Sequence, residues 1–295
     1  MCIMAALVGM SAEFPFILVH NRDEDWTRKT FDVQDNGAVI AAIDSRAGGT
    51  WMGLHKETAR FAALTNVRTK QKVPTPSKSR GRMVQDYLER GSEQWEDYYA
   101  YHTYMLMRCW LHCSDIRARQ HGEPEVYLRT CVPTVGGGEC TWETVCERLD
   151  SGHVYCISNE ECRSVNTANF PKCAWLKQEL ERTIKSFNVE SKGKEGALKL
   201  AEAMSIAMSS TVNFAEESLP DMSFSPLTKE QETILQRGPY IHGPSAGFES
   251  YGTQTQTIVI SSASSKSIYY FCRRTEGSAD ALCLFRGPVK SMHYN

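Results

Sequence analysis

No stretch of the sequence approaches the roughly eighteen consecutive apolar residues of a membrane-spanning helix. Charge of either sign is not in excess, since 33 lysines and arginines stand against 35 acids for a net charge of -2. A dedicated nucleic-acid binder carries a basic surplus, so that class is set aside and no nucleic-acid partner is expected. No lysine or arginine precedes Arg22, and the basic region that opens a secretory signal is therefore missing. Eleven cysteines include no C-x-x-C pair, which argues against a zinc ribbon or a thioredoxin-type motif. Their odd number fits a reducing compartment better than a disulfide framework. A cytosolic pool is the default expectation. Peripheral association with Golgi or mitochondrial membranes would need a partner or a basic loop.

What is present is ordinary globular material: 295 residues, 41% hydrophobic and 23% charged, enough to bury a sizeable core. No internal repeat or linker divides the chain, and a single domain over residues 1–295 is expected. Apolar runs at Ile3 to Val8, Phe16 to His20, Val39 to Ile43, Trp51 to His55 and Phe61 to Thr65 read as short strands. Thr69 to Ser79, with lysines, Pro74 and Pro76, reads as an exposed loop. Arg82 to Arg90 and Ser92 to Tyr101 look helical. Strands are expected at Tyr104 to His112, Val126 to Val132 and Val154 to Ser158. Leu176, Leu180, Ile184 and Phe187 recur at helical spacing, as do Ala197, Leu200, Ala201, Met204 and Met208. A short helix over Thr228 to Arg237 follows, then strands at Thr257 to Ser262, Ser267 to Arg273 and Leu282 to Phe285. Strands, then helices, then strands predict a layered α+β fold.

Six features carry candidate chemistry, each with a plainer alternative. Cys2, once Met1 is removed, joins a thiol to a free α-amine of pKa about 8, which can serve as base for its own sulfur; otherwise it only starts a strand. Asn21-Arg22-Asp23-Glu24 closes a buried strand and is placed to line a cleft, with Arg22 able to bind a carboxylate or hold a thiolate; the alternative is a hairpin exit. Gly48-Gly49-Thr50-Trp51 lets backbone approach a ligand, and Asn66 at a strand end can donate to an oxyanion; the alternative is a tight turn. Gly243-Pro244-Ser245-Ala246-Gly247 matches G-x-S-x-G but lacks the strand before and the helix after that a nucleophile elbow requires. Cys109, His112 and Cys113 alternate across a strand and cannot converge on one metal, so they read as core thiols. Seven cations between Arg60 and Arg82, with no acid from Arg60 to Gln85, could steer an anionic ligand or membrane surface, or simply be solvated.

The order of these features resembles the NRDE family, also called the transport and Golgi organisation protein two family. Met1-Cys2-Ile3 and Asn21-Arg22-Asp23-Glu24 match its opening. Gly48-Gly49-Thr50-Trp51-Met52-Gly53, Ala63-Leu64-Thr65-Asn66 and Ser79-Arg80-Gly81-Arg82 match its next blocks. Tyr155 to Asn159, Trp175 and Tyr251-Gly252-Thr253-Gln254-Thr255 are similar to its later ones. Cys156 replaces a usual glycine, and Gln254 stands where relatives often carry arginine. The resemblance implies a four-layer αββα sandwich of the N-terminal nucleophile hydrolase type, like choloylglycine hydrolases and penicillin V acylases. On that pattern Cys2 would be nucleophile, Arg22 its electrostatic partner, Asn66 an oxyanion donor and Asn159 a holder of substrate or α-amine. The acidic partner would be Asp23 or Asp25, with Asp23 preferred; Asn21, Glu24, Gly49, Thr50 and Trp51 would line the ligand site. The family implies a factor in secretory-pathway organisation and in lipid or haem homeostasis, binding a lipid-, acyl-CoA- or haem-like small molecule. The alternative is a Cys2-dependent amidohydrolase or thioesterase. No Cys-Pro haem-regulatory motif occurs, and neither a cofactor nor a metal is expected.

Overall fold

A computed structural model describes residues 2–30, 34–35, 38–56, 60–73, 78–91, 98, 101–108, 125–136, 139–167, 170–187, 190–212, 214, 219–221, 225–241, 250–275 and 290–293. The fold is mixed α+β, with two antiparallel sheets and four helices among the described residues. The strands are β1 (Cys2–Val8), β2 (Phe16–Asp25), β3 (Gln34–Asp35), β4 (Val39–Ala41), β5 (Met52–His55), β6 (Phe61–Asn66), β7 (Tyr101–Arg108), β8 (Glu125–Gly136), β9 (Glu139–Arg148), β10 (His153–Ile157), β11 (Tyr251–Ser262), β12 (Ser267–Arg274) and β13 (Lys290–His293). The helices are α1 (Arg80–Arg90), α2 (Pro171–Ser186), α3 (Gly193–Met208) and α4 (Lys229–Leu235). One sheet runs β10-β1-β2-β11-β12-β13, and the other runs β3 to β9 in chain order.

β1 and β2 lie inside the first sheet and are apolar on both faces, which is what a strand covered on both sides requires. Met4, Ala6, Val8, Phe16 and Leu18 point into the core between the sheets, where Phe16 meets Phe61 edge-on. Ile3, Ala5, Leu7, Ile17 and Val19 point the other way, onto Leu176, Leu180, Leu200 and Met204 of α2 and α3. The period-two alternation thus divides one continuous apolar run between two cores. α1 buries Met83, Val84, Tyr87 and Leu88 on β5 and β6, and stops at Gly91, whose φ of 66° closes the helix with a bond to the Tyr87 carbonyl. Pro171 occupies the first turn of α2, and a Thr228–Gln231 capping box starts α4.

Two expectations need amendment. Tyr101 opens β7 rather than closing a helix; residues 92–97 lie outside the described set. β9 has no counterpart in the sequence reading because it is the edge strand of its sheet, with charged and polar residues on the face that meets solvent. The expected strand at Leu282 to Phe285, the Gly243 to Gly247 segment and Cys109, His112 and Cys113 also lie outside the described residues. Among the described residues no cysteine is in a disulfide, and no helix is long and apolar enough to cross a membrane.

Candidate functional site

A cavity of about 840 Å³ opens where β1 begins and β2 ends, bounded by the β6 exit, the Asp44–Trp51 turn and the N-terminal turn of α1. Of the described cysteines, Cys2 alone lines it. Both backbone polar groups of Cys2 are engaged by consecutive residues after β10. Its N–H donates to Asn159 Oδ1 at 2.8 Å, and its carbonyl accepts from Ser158 Oγ at 2.7 Å. Asn159 in turn donates through Nδ2 to the Asn66 carbonyl, and the Ser158 carbonyl accepts from Thr65 Oγ1. The ends of β1, β6 and β10 are thereby tied together around the thiol. Burial pushes that thiol above its ordinary value and the Asp23 charge adds to this, while Arg22 and a hydrogen bond from the Asp23 backbone oppose it.

Arg22 pairs with Cys2 across the β1–β2 ladder, so both side chains share one face. Its guanidinium is buried and fully occupied. Nη2 meets Asp44 Oδ2 at 2.8 Å, Nη1 meets Gln254 Oε1 at 2.5 Å, and the plane lies 4.6 Å from the Trp51 ring centre. Gln254 therefore serves as an acceptor for Arg22 instead of a second cation. Asp44 is a hub that the motifs do not announce. Its Oδ2 also takes Arg28 Nε at 2.9 Å, and its Oδ1 takes the backbone N–H of Arg46 and Ala47 at 3.0 and 2.8 Å. Burial raises the Asp44 carboxyl, but these donors and the two guanidiniums outweigh it and hold the group below its usual range.

Asp23 lines the cavity, whereas Asp25 does not. The Asp25 carboxylate turns outward to Thr27 and Ser250. Asp23 is buried, accepts from Thr253 Oγ1 at 2.6 Å, and is pushed up by desolvation to about 6. A carboxyl tuned near neutrality in a cleft is a group able to exchange protons there. Glu24 lines the rim and pairs with Arg28 at 3.1 Å. Asn21 is not brought to the cavity: its Nδ2 donates to the Met208 and Pro239 carbonyls and fastens β2 to the end of α3.

The two glycine-containing motifs meet each other. A Cβ on Gly49 would lie 2.6 Å from the Gly81 carbonyl carbon and 2.9 Å from the Arg82 nitrogen, and Thr50 N–H donates to the Gly81 carbonyl at 3.2 Å. A Cβ on Gly53 would lie 2.5 Å from Leu88. Glycine at 49 and 53 is what lets α1 seat directly on the turn and on β5. Thr50 Oγ1 stands 2.7 Å from the carbonyls of Ala42 and Met52 and fixes the turn from within. This docking carries Lys78 and Arg80, two cations of the basic stretch, to the cavity wall, where Arg68 joins them from the β6 exit. Burial, and Arg28 beside it, pull the Arg80 guanidinium down to about 10. Asp44, Ser158, Arg28 and the role of Gln254 were missed by sequence reasoning. Asp44 and Ser158 each sit a few residues from a motif residue, and that adjacency was the available signal.

The family model described as transport and Golgi organisation 2 matches residues 1–275 of the chain. No curated protein matches it.

Proposed function

Because the chain belongs to the transport and Golgi organisation 2 family, and membership supports a role related to Golgi organisation, we propose that it acts by holding a small acyl-type ligand in the cleft beside Cys2. The observation that carries this reading is the cleft's two-sided lining. Trp51, Leu64, Val73, Leu227 and Leu235 offer apolar wall, while Arg28, Lys78 and Arg80 gather positive charge. A volume of about 840 Å³ suits a molecule of drug or lipid size. An anion between Arg28 and Arg80 relieves the repulsion that Arg28 exerts on the desolvated Arg80 guanidinium. Lipid, acyl-CoA and haem-like molecules all combine an apolar body with an anionic group, and this chemistry underlies the proposed part in lipid or haem homeostasis.

Mass spectrometry of small molecules extracted from the purified full chain identifies the native occupant. A fluorescent long-chain acyl probe ending in carboxylate, compared with its methyl ester, tests the charge requirement. Arg80→Ala is expected to weaken the carboxylate probe about tenfold and the ester little. Equal weakening of both, or no binding of either, would overturn the proposal.

A second reading is favoured by the grip on Cys2. With Met1 removed, the group bonded to Asn159 Oδ1 becomes the α-amine, ready to take the thiol proton. The thiolate would attack an amide or thioester carbonyl, and Asn66 would stabilise the oxyanion. The leaving amine or thiol would depart with the proton, and water would then release the acid and regenerate the thiol. Helices α2 and α3 over one sheet, a second sheet beneath it and α1 beyond support the four-layer arrangement of N-terminal nucleophile hydrolases. Intact-mass measurement for Met1, with acyl-amide and thioester turnover by wild type and Cys2→Ala, decides it. A retained Met1, or equal turnover by both proteins, leaves the binding role alone.

A further inference from the structure

The wall of the cleft that carries Leu227 and Leu235 is the short helix α4 with the turn before it, and side chains hold it in place. Ile234 and Leu235 are buried, and Lys172 Nζ donates to the Leu235 carbonyl at 3.3 Å, which satisfies a carbonyl that the helix leaves open. The other tie is ionic. Glu232 is fully buried and accepts through Oε1 from Arg68 Nη1 and from Ser225 Oγ. Arg68 lines the cleft at the β6 exit, and its backbone N–H donates to the Asn159 carbonyl at 2.9 Å. The fixed half of this tie thus belongs to the residues that grip Cys2. Downstream of α4 the chain turns at Gly238, with φ of 78°, and reciprocal bonds of 2.9 Å between Ile241 and Thr253 fasten it to β11.

The Arg68–Glu232 pair is closed at one oxygen only. Among the described residues no hydrogen-bond partner meets Glu232 Oε2, Arg68 Nε and Nη2, or either amide atom of Gln236, although all are buried. The Phe170 ring, its centre 5.6 Å from the guanidinium carbon, offsets this in part. Glu232 and Gln236 stand one helical turn apart, so the orphaned atoms gather on one side of α4. A buried charge pair whose remaining hydrogen-bonding atoms go unmet recovers little of its desolvation cost. Swinging α4 outward returns those atoms to water and gives up mainly the contacts of Ile234 and Leu235. Elements with that balance are the ones that open locally.

We propose that Ser225 to Leu235 form a gate in the cleft wall, latched by the Arg68–Glu232 pair, that opens to admit the apolar part of an acyl ligand and closes against it through Leu227 and Leu235. The proposal rests on reading the cleft as an acyl-ligand site, but its first test needs no ligand. Hydrogen exchange of the full chain, read by peptide mass spectrometry, compares wild type with Glu232→Gln, which keeps the shape and removes the counter-charge. Exchange in α4 is expected to rise about tenfold or more, while α2 and α3 keep their wild-type rates. Arg68→Leu/Glu232→Leu leaves no charge to bury and is expected to bring α4 exchange back to the wild-type rate or below. The second test follows the fluorescent long-chain acyl carboxylate by stopped flow, and Glu232→Gln should speed its dissociation about tenfold. An α4 rate that is unchanged, or raised only together with α2 and α3, overturns the proposal and leaves the functional reading standing. A double variant that exchanges as fast as Glu232→Gln does the same, as does equal probe dissociation from both proteins. An α4 freed by Glu232→Gln in a protein that binds no probe upholds the latch and overturns the acyl-ligand reading instead. Should Glu232→Gln fail to fold, Ser225→Ala, which removes a hydroxyl donor from Glu232, takes its place in both tests.

Discussion

Replacing Asp44 by alanine tests whether the cleft is built around the Arg22 guanidinium. The substitution removes the carboxylate that pairs with the Arg22 and Arg28 guanidiniums and accepts from the backbone N–H groups of Arg46 and Ala47. Removing one member of a buried ion pair costs about 3–5 kcal/mol, because the remaining charge stays out of water. Arg22 keeps Gln254 and the Trp51 face, and Arg28, 32% exposed, turns to Glu24 and solvent. The lower end, about 3 kcal/mol, is therefore expected. At about 2–4 °C per kcal/mol for a chain slightly smaller than this one, the melting temperature falls by about 6–12 °C. The sign of the pH effect is fixed too. The Asp44 carboxyl titrates below its ordinary value in the fold, so its stabilisation is complete above the unfolded value and lost as pH falls through the lowered one. The gap between wild type and Asp44→Ala thus narrows in acid. Thermal melts of both proteins at neutral pH and in acid, with Arg22→Met and the double variant, measure all of this. The reasoning is refuted by a gap under about 1 kcal/mol, by a gap that widens in acid, or by strict additivity of the two substitutions.

Two other perturbations address the glycine contact and the buried acid. Gly49→Ala places a methyl group against the backbone of Gly81 and Arg82, which cannot rotate away; a loss of about 1–3 kcal/mol with weakened acyl-probe binding is expected in melts and titrations. An unchanged melt would mean that α1 shifts freely. Asp23, raised to about 6, makes wild type lose stability as pH rises from its unfolded value toward 6, since the folded state holds the proton longer. Asp23→Asn should flatten that part of the stability profile, and an identical slope in both proteins would show that Asp23 titrates normally.

The strand ladder was largely legible because both cores are written in alternation: β1 and the first four residues of β2, Phe16 to Val19, are apolar at every position, and Leu176, Leu180 and Ile184 mark one face of α2. β9 was not, because this edge strand exposes Cys140, Thr144, Cys146 and Arg148 on one face and places Glu143 and Glu147 on the other, where a core strand would carry aliphatics. In the cleft, motif order brought Cys2, Arg22, Asp23, Glu24, Gly49, Thr50, Trp51, Asn66 and Asn159 to a single cavity lining. Asn21 belongs to the same tetrapeptide, but its side chain is committed to the Met208 and Pro239 carbonyls. Asp44 escaped notice for a different reason. It lies close to the glycine motif, but its significance comes from the buried Arg22 guanidinium it opposes, and that pairing is not spelled out by spacing along the chain.

The strand order of the first sheet has a consequence for biosynthesis. β1 and β2 are made first, yet β1 waits for β10 and β2 waits for β11, whose pairing begins at Tyr251 opposite Asp25. At synthesis rates of about 5–20 residues per second, that hairpin spends roughly 7–26 seconds with both edges open before β10 is made. Through β1 and as far as Val19 of β2 it is apolar on both sides, the kind of segment that recruits foreign strands. Arg22 likewise has no Gln254, and Asp23 no Thr253, until the same late strand arrives. Assembly of the cleft therefore waits for β11, and a nascent chain halted before it holds the motif residues without the site.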